Sequence, residues 1–113
     1  GIVTWYYENG KIMQTVNYKD GILEGERKNY YINGTLKDLF FYKDEKITGK
    51  WVSYYENTKI SETGSYENGD RNGLWKEYYK NGKLKGEGKY ANDKKVGIWK
   101  MYYYNGAENQ ENP

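Results

Sequence analysis

The side chains that most often perform acid–base and nucleophilic chemistry are scarce in this sequence. It contains no His and no Cys, which excludes imidazole catalysis, thiol nucleophiles, disulfides and zinc sites built from nitrogen and sulfur ligands. The three serines, at Ser53, Ser61 and Ser65, have no histidine base to activate them. Carboxylates are therefore the remaining candidates for catalysis.

These carboxylates are spread along the chain. Glu8, Glu56 and Glu67 flank predicted turns, whereas Glu62 and Glu87 lie on predicted strands. A pair of carboxylates is the minimum for glycoside hydrolysis, but acidic side chains beside exposed turns are ordinarily solvated. We therefore expect no catalytic residue, and the protein is predicted not to be an enzyme.

A glycine-rich run, residues 82–89, has the composition of a phosphate-binding loop. That loop requires its first Gly at the position of Lys83 and a Ser or Thr at the position of Tyr90. The glycines are therefore interpreted as turn and packing residues. We expect no cofactor and no metal.

A repeat of 24 residues organises the chain. Its first position is a glycine, at Gly1, Gly25, Gly49, Gly73 and Gly97. A tyrosine pair follows at positions 6 and 7 of each repeat, and an Asn-Gly pair or its variant at positions 9 and 10. The sequence predicts one repeat domain, residues 1–106, made of repeats 1–24, 25–48, 49–72, 73–96 and the partial repeat 97–106. Residues 107–113 are expected to be a disordered tail.

Aromatic residues supply the apolar surface of these repeats. Only 36% of the residues are hydrophobic, but 15 are Tyr and 4 are Trp, and each such ring buries about 150–250 Å². The net charge of +2 is too small for a nucleic-acid-binding protein. No apolar run approaches the ~20 residues of a membrane span. The composition indicates a folded aromatic-rich domain.

Each repeat predicts a β-hairpin, because Asn-Gly between aromatic and β-branched residues is a strong turn signal. A two-residue turn at positions 9 and 10 pairs position 7 with 12, position 5 with 14 and position 3 with 16. A second turn at positions 20 and 21 pairs 18 with 23. Positions 3, 7, 12, 16 and 18 then share one face, the predicted core. In the third and fourth repeats it reads Trp51, Tyr55, Ile60, Gly64, Tyr66 and Trp75, Tyr79, Leu84, Gly88, Tyr90.

Residue sizes support this pairing. Trp75 faces Gly88 and Trp51 faces Gly64, a large ring over a residue without a side chain. Two residues per repeat remain unpaired, so that either a bulge beside the position 1 glycine absorbs them or the sheet coils. We predict an all-β fold, an elongated open antiparallel meander of about nine or ten strands, roughly 45 Å long and 20 Å wide.

The opposite face carries the candidate binding site. A tyrosine stands at position 6 of every repeat, and in the second repeat Leu39 and Phe41 replace the polar residues found at positions 15 and 17 of the other repeats. Exposed apolar patches mark interaction sites. The predicted partner-binding residues are Tyr30, Leu39, Phe41, Tyr54, Tyr78, Lys85 and Lys89. The alternative is a solvated face on which Tyr only satisfies β-propensity.

The pattern G-x-W-x-x-Y-Y-x-N-G-K-L-x-x-x-G-x-Y-x-N-G-K-x-x-G resembles the bacterial variant of the MORN repeat (membrane occupation and recognition nexus). It covers residues 1–106, with departures at Arg27 and Phe40 in the second repeat. The resemblance implies an open, elongated antiparallel sheet. It also implies antitoxin-like, immunity-like or surface roles, without a catalytic residue.

Two functions follow as expectations. The first is a non-catalytic repeat scaffold that binds another protein, in the toxin-neutralising or immunity manner that the resemblance implies. The alternative is an envelope or surface module that binds glycan or anionic lipid. A cytoplasmic location is expected with the first, and an envelope location if a signal sequence precedes Gly1.

Overall fold

The structure, a computed structural model, describes residues 1–105. Its fold is a single open antiparallel sheet. The strands are β1 (Ile2–Tyr6), β2 (Ile12–Lys19), β3 (Ile22–Tyr30), β4 (Leu36–Lys43), β5 (Lys46–Ile47), β6 (Gly49–Tyr54), β7 (Ile60–Glu67), β8 (Asp70–Arg71), β9 (Gly73–Tyr78), β10 (Leu84–Ala91) and β11 (Lys94–Met101). Nine of them follow one another across the sheet in chain order, while the short β5 and β8 pair with β4 and β7. The predicted all-β meander is confirmed.

The sheet is elongated, with extents of 46 × 32 × 14 Å. Its length is close to the predicted value, and it is wider than predicted. No second layer of the described residues packs on either face, and none of them forms a helix long and apolar enough to cross a membrane. The predicted disordered tail, 107–113, lies outside the described residues. Within residues 1–105, no second layer therefore covers either face of the sheet.

The first turn of each repeat lies where it was predicted but closes differently. The main-chain N–H of Tyr7 donates to the carbonyl of Lys11 at 2.8 Å, and that of Gly10 donates to the carbonyl of Tyr7 at 2.9 Å. Gly10 has a φ of +86°, so the loop holds three residues and ends in the left-handed conformation. Equivalent bonds close the turns at Asn33-Gly34, Asn57-Thr58 and Asn81-Gly82. The turn at Asn105-Gly106 extends beyond the described residues.

This turn shifts the strand register and corrects the predicted pairing of positions 7 and 12. Position 5 pairs with 14 as predicted, but position 6, not 7, pairs with 12, and a bulge separates the two pairs. Cross-strand partners share a face, so Ile60 lies with Tyr54 and Leu84 with Tyr78. Ile60 and Leu84 therefore do not belong to the predicted core face. The turn signal was read correctly, but the loop has one more residue than was assumed.

The second turns keep the predicted pairing. Both turn residues have positive φ, as in Asp20 (52°) and Gly21 (79°), and the pairing of Tyr18 with Leu23 follows. Between this pair and the pairing of Val16 with Arg27, β2 contains one residue and β3 contains three. The bulge beside the position 1 glycine is thus the alternative that the structure adopts. It needs glycine because φ there is +89° at Gly25.

One face, which we call the aromatic face, holds the core. Trp75 is 3% exposed and stacks on Trp51 with ring centroids 5.5 Å apart. Tyr66 and Tyr90 contact the Trp75 ring edge-on at 5.4 and 5.6 Å. Val16, Phe40 and Trp99 are the other buried apolar residues among those described. The core is thus a row of rings that runs across the strands.

The Trp–Gly pairing is confirmed in register but corrected in packing. Trp51 pairs with Gly64 and Trp75 with Gly88. However, a Cβ added to Gly64 would lie 2.1 Å from the Trp75 ring, and one added to Gly88 would lie 2.1 Å from the Trp99 ring. Trp75 and Trp99 therefore each cover the glycine of the preceding repeat, and each contact joins two repeats.

Candidate functional site

The serines first considered for catalysis are held in structural contacts. The hydroxyls of Ser53 and Ser61 lie 2.6 Å apart, and the Ser65 hydroxyl donates to the carbonyl of Asn72 at 2.7 Å. Glu87 lies between Lys76 and Lys100 in the sheet. Among residues 1–105, no cluster of three or more acidic, His or Cys side chains could hold a metal ion.

Two carboxylates do face each other on the aromatic face. Glu62 and Glu77 are cross-strand partners between β7 and β9. Burial raises the pKa of Glu62, and the charge of Glu77 adds to this, while the Arg71 guanidinium opposes it. The spacing of Glu62 and Glu77 was not recognised from sequence, because the two lie in different repeats at positions 14 and 5. Titration of Glu62 in this pair therefore makes the stability of the fold depend on pH.

The opposite face, which we call the ladder face, is built from three rows of side chains. Its central row is continuous across all nine strands of the main path and reads Thr4, Thr15, Lys28, Leu39, Val52, Thr63, Lys76, Glu87, Lys100. A second row near the first turns alternates Tyr with Ile or Leu, in the pairs Tyr6–Ile12, Tyr30–Leu36, Tyr54–Ile60 and Tyr78–Leu84. The third row carries positions 2 and 17 of the repeat.

An apolar depression lies where the central and third rows meet in the second and third repeats. Its volume is about 460 Å³, and its lining is Leu39, Phe41, Lys50, Trp51, Val52, Thr63 and Gly64. Leu39 pairs directly with Val52, and Phe41 is 36% exposed. Strand alternation points Trp51 and Gly64 to the aromatic face, so the side chains on the ladder face are largely apolar. The structure thus brings Leu39 and Phe41 together, as the sequence predicted.

The predicted tyrosines lie on the same face but outside this depression. Tyr30, Tyr54 and Tyr78 are half-buried in the turn-end row beside their aliphatic partners. That row is more apolar than predicted, because the three-residue turns bring position 12 onto the ladder face. The tyrosines therefore flank the depression as part of a continuous apolar edge.

The two predicted lysines lie on opposite faces. Lys89 is exposed on the ladder face opposite Leu74. Lys85 occupies the bulge, and its ammonium lies 5.9 Å from the centre of the Tyr79 ring. The equivalent bulge residue Ser61 bonds Ser53 of the aromatic face, so position 13 turns away from the ladder. The predicted grouping of Lys85 with Tyr78 and Lys89 on one face is wrong, because the bulge inverts its side chain.

Apolar residues at position 2 were missed by the sequence reasoning. Leu74 is 48% exposed and Ile98 is 76% exposed. Together with Lys89 and Val96 they line a second depression of about 220 Å³ near the end of the sheet. Position 2 has the same parity as the tyrosine at position 6, and this signal could have placed both residues on the ladder face.

Two solved structures resemble this chain at low sequence identity. The crystal structure of TarM is 13% identical to this chain, with a TM-score of 0.49. A mutant of S. aureus TarM in complex with fondaparinux, alpha-GlcNAc-glycerol and UDP is 14% identical, with a TM-score of 0.50. Each match covers 85% of this chain and 19% of the TarM chain, so the chain spans less than a fifth of the TarM chain. The second of these likenesses shows a shared fold.

The sequence itself matches a repeat family. A search of curated proteins found no match. The family of the MORN repeat variant, in contrast, matches four tandem segments, residues 1–20, 23–44, 47–68 and 71–92. These segments coincide with the hairpins joined by the position 1 bulges. The chain belongs to the MORN repeat variant family.

Proposed function

We propose that this chain is a non-catalytic repeat scaffold that binds another protein through the ladder face. The observation that carries the proposal is the apolar depression around Leu39, Phe41 and Val52. Repeat families of this kind bind through extended surfaces. The ladder face offers such a surface, since no second layer of described residues covers it.

The local sequence supports a protein partner over a repetitive ligand. Leu39 and Phe41 occur in one repeat only, whereas the equivalent residues elsewhere are Thr, Glu, Asn, Ser and Lys. A site that breaks the repeat suits a partner with one distinctive apolar protrusion. Aromatic and aliphatic anchors in a desolvated pocket commonly dominate the affinity of protein interfaces. Phe41 and Leu39 are the anchors on this side.

Within this class, we propose toxin neutralisation as the mode of action. The resemblance to antitoxin-like and immunity-like repeat proteins supports it. Neutralisation by binding requires a stable complementary surface and no catalytic group. The chain would act by covering a functional surface of the toxin.

The test compares two anchor substitutions with one control substitution. Leu39→Ser and Phe41→Ser remove the anchors, whereas Lys85→Ser on the aromatic face is a control that leaves the ladder face intact. The partner is first isolated by affinity capture with cross-linking and identified by mass spectrometry, then purified. We expect each anchor variant to lose about 2 kcal/mol of binding free energy, and Lys85→Ser to change it little.

Thermal unfolding of each variant is measured to distinguish a loss of binding from a loss of folding. If both anchor variants bind the purified partner as the unchanged chain does, the ladder-face site is wrong. If the partner binds but has no toxicity in a growth assay, protein binding stands and toxin neutralisation fails.

A second candidate function is a surface module that binds glycan or anionic lipid. The turn-end row supports it, because the same Tyr–aliphatic pair recurs four times along one edge. Such a ligand predicts similar losses from Tyr30→Ser, Tyr54→Ser and Tyr78→Ser, measured with phosphatidylglycerol vesicles or a soluble polysaccharide. A loss confined to Leu39 and Phe41 variants would contradict it.

A further inference from the structure

Two lysines border the apolar depression in the middle of the ladder face. Lys50 is exposed and lines the depression itself. In the central row, Val52 pairs with Thr63, and Thr63 pairs with Lys76 on the next strand. From the main chain of Val52, Lys50 lies about 7 Å along the same strand and Lys76 lies about 10 Å across the strands. The apolar lining is therefore within reach of two ammonium groups.

The fold itself does not neutralise these lysines. Neither Lys50 nor Lys76 forms an ion pair with another residue in the range 1–105. The carboxylate of Glu26, on the same face, is engaged by Lys28 at 3.4 Å. Glu87 lies opposite Lys76 in the strand register but is shared with a second lysine on its other side. The border of the depression therefore keeps a positive charge.

The ladder face as a whole has the same sign. Lysines outnumber glutamates in its central and third rows, where the charged residues are Lys28, Lys50, Lys76, Lys89 and Lys100 against Glu26 and Glu87. A surface of one sign attracts partners of the opposite sign during diffusional encounter and repels those of its own sign. This face therefore favours an acidic partner.

Desolvation makes the charge of the partner matter within the bound complex as well. Because Lys50 lines the depression, a side chain that covers Phe41 and Val52 also covers part of Lys50. An ammonium group that loses water without gaining a counter-charge opposes binding, whereas a carboxylate placed beside it offsets this cost. The depression thus favours an apolar side chain, and the lysines favour a carboxylate next to it.

We infer that the partner inserts an apolar side chain that has an aspartate or glutamate within about four residues of it. Four residues span about 6 Å along a helix, and two residues span about 7 Å along a strand, which matches the distance from Val52 to Lys50. The inference rests on the proposed function, because it describes the partner of the same depression. It adds the charge of the segment that docks there.

An anionic membrane has the same charge, but the shape of the site favours a protein segment. A depression of about 460 Å³ accepts one protruding side chain, whereas a membrane surface is flat on this scale. The apolar pair Leu39 and Phe41 also occurs in one repeat only, so that the lysines border a single concave site. A lipid surface is therefore an outcome for the test to exclude.

The probe is a phage-displayed library of random dodecapeptides, selected against the full chain. Enriched peptides are synthesised, and their affinity for the full chain is measured by fluorescence anisotropy. We expect them to combine Phe, Leu, Ile or Trp with Asp or Glu within four residues more often than the unselected library does. Leu39→Ser and Phe41→Ser should each weaken their binding, which tests the proposed function separately.

A charge exchange tests the role of the lysines. Lys50→Glu should weaken a selected peptide about three- to tenfold, since an attractive charge pair becomes a repulsive one. Replacing the acidic residue of the peptide by Lys should restore part of the affinity for this variant. Lys85→Glu makes the same change of net charge on the aromatic face, and as the control it should leave affinity within a factor of about 1.5. Thermal unfolding is measured to identify variants that lose their fold.

The outcomes distinguish this inference from the proposed function. Peptides that depend on Leu39 and Phe41 but have no acidic preference and bind Lys50→Glu unchanged would overturn the inference alone. Equal weakening by Lys50→Glu and Lys85→Glu would also overturn it, because general electrostatic attraction would explain the effect. If no selected peptide depends on Leu39 or Phe41, the proposed binding site fails and the inference fails with it. Phosphatidylglycerol vesicles that bind the chain more tightly than any peptide, and that lose binding with Lys50→Glu, would assign the lysines to a lipid surface and overturn it.

Discussion

The hydroxyl of Tyr79 donates a hydrogen bond of 2.7 Å to the main-chain carbonyl of Tyr102. Position 7 of one repeat thereby reaches position 6 of the next across the intervening strand. The same bond joins Tyr7 to Tyr30 and Tyr31 to Tyr54, each at 2.6 Å, and Tyr55 to Tyr78. Because it recurs between every two neighbouring repeats, it couples them along the edge that carries the first turns.

Removal of one such hydroxyl should weaken the contact between two neighbouring repeats. We expect Tyr79→Phe to lower the free energy of unfolding by about 1 kcal/mol, because a partly buried hydrogen bond is lost. Tyr103→Phe is the matched control, since the Tyr103 hydroxyl bonds none of the described residues and its ring is exposed. Urea unfolding followed by Trp fluorescence measures both. Equal effects of the two substitutions would contradict a coupling role.

The packing of Trp75 over Gly64 predicts strong non-additivity. Trp75→Ala should cost about 3–5 kcal/mol, as truncation of a buried ring does. Gly64→Ala should be strongly destabilising in the unchanged protein, because its Cβ would lie 2.1 Å from the Trp75 ring. In the Trp75→Ala background the same change should cost much less, since the ring is gone.

A double-mutant cycle of unfolding free energies measures this coupling. We expect a coupling energy of at least about 1 kcal/mol. If Gly64→Ala costs the same in both backgrounds, the ring does not rest on Gly64. Gly88→Val should likewise be harmful, but through Trp99.

Size compensation was enough to predict the register but not the direction in which the rings lean. Gly64 has a tryptophan strand on each side, Trp51 on β6 and Trp75 on β9. Strand parity assigns all three residues to one face and does not distinguish the two neighbours. The choice depends on sheet twist and on the Tyr66 and Tyr90 rings around Trp75, which are tertiary properties.

The faces of Ile60, Leu84 and Lys85 were predicted wrongly for a local reason. Asn-Gly suits both a two-residue and a three-residue hairpin loop, and one additional loop residue changes the parity of everything up to the next bulge. Beyond that bulge parity is restored, so Leu39 and Phe41 were placed correctly. The sequence therefore predicted the candidate patch but not the aliphatic residues beside the tyrosine ladder.

Thr58 offers a stabilising substitution. Its φ is +74°, a left-handed conformation at the position where other repeats have Gly10, Gly34 and Gly82. A β-branched residue is strained in this region. Thr58→Gly should raise the free energy of unfolding by about 1 kcal/mol, because strain relief exceeds the added entropy of the unfolded chain.

The control for this change is Thr35→Gly. Thr35 does not have a positive φ, and its hydroxyl donates to the Asn33 side chain at 2.7 Å. The substitution there should leave stability unchanged or lower it. Thermal unfolding in parallel distinguishes the two positions, and a destabilised Thr58→Gly variant would show that strain at this turn is negligible.

Glu62 predicts the pH dependence of stability. Burial, and then the neighbouring Glu77 carboxylate, raise its pKa above the ordinary value of 4.5. The folded protein thus binds more protons than the unfolded chain between the two pKa values, so stability falls as pH rises through that window. The favourable contribution is complete below about pH 4.5 and is lost above the folded pKa.

Glu62→Gln removes this titration while it keeps the size of the side chain. We expect the variant to gain stability over the unchanged protein as pH rises from about 4 to 7. The gain should be below about 1 kcal/mol, because solvent screens a half-buried carboxylate. Glu87→Gln is the control, since Glu87 lies opposite Lys76 and Lys100 in the strand register, and it should not gain stability as pH rises. Urea unfolding across this pH range measures both, and a Glu62→Gln variant that is less stable at pH 7 would mean that the carboxylate makes a favourable contact there.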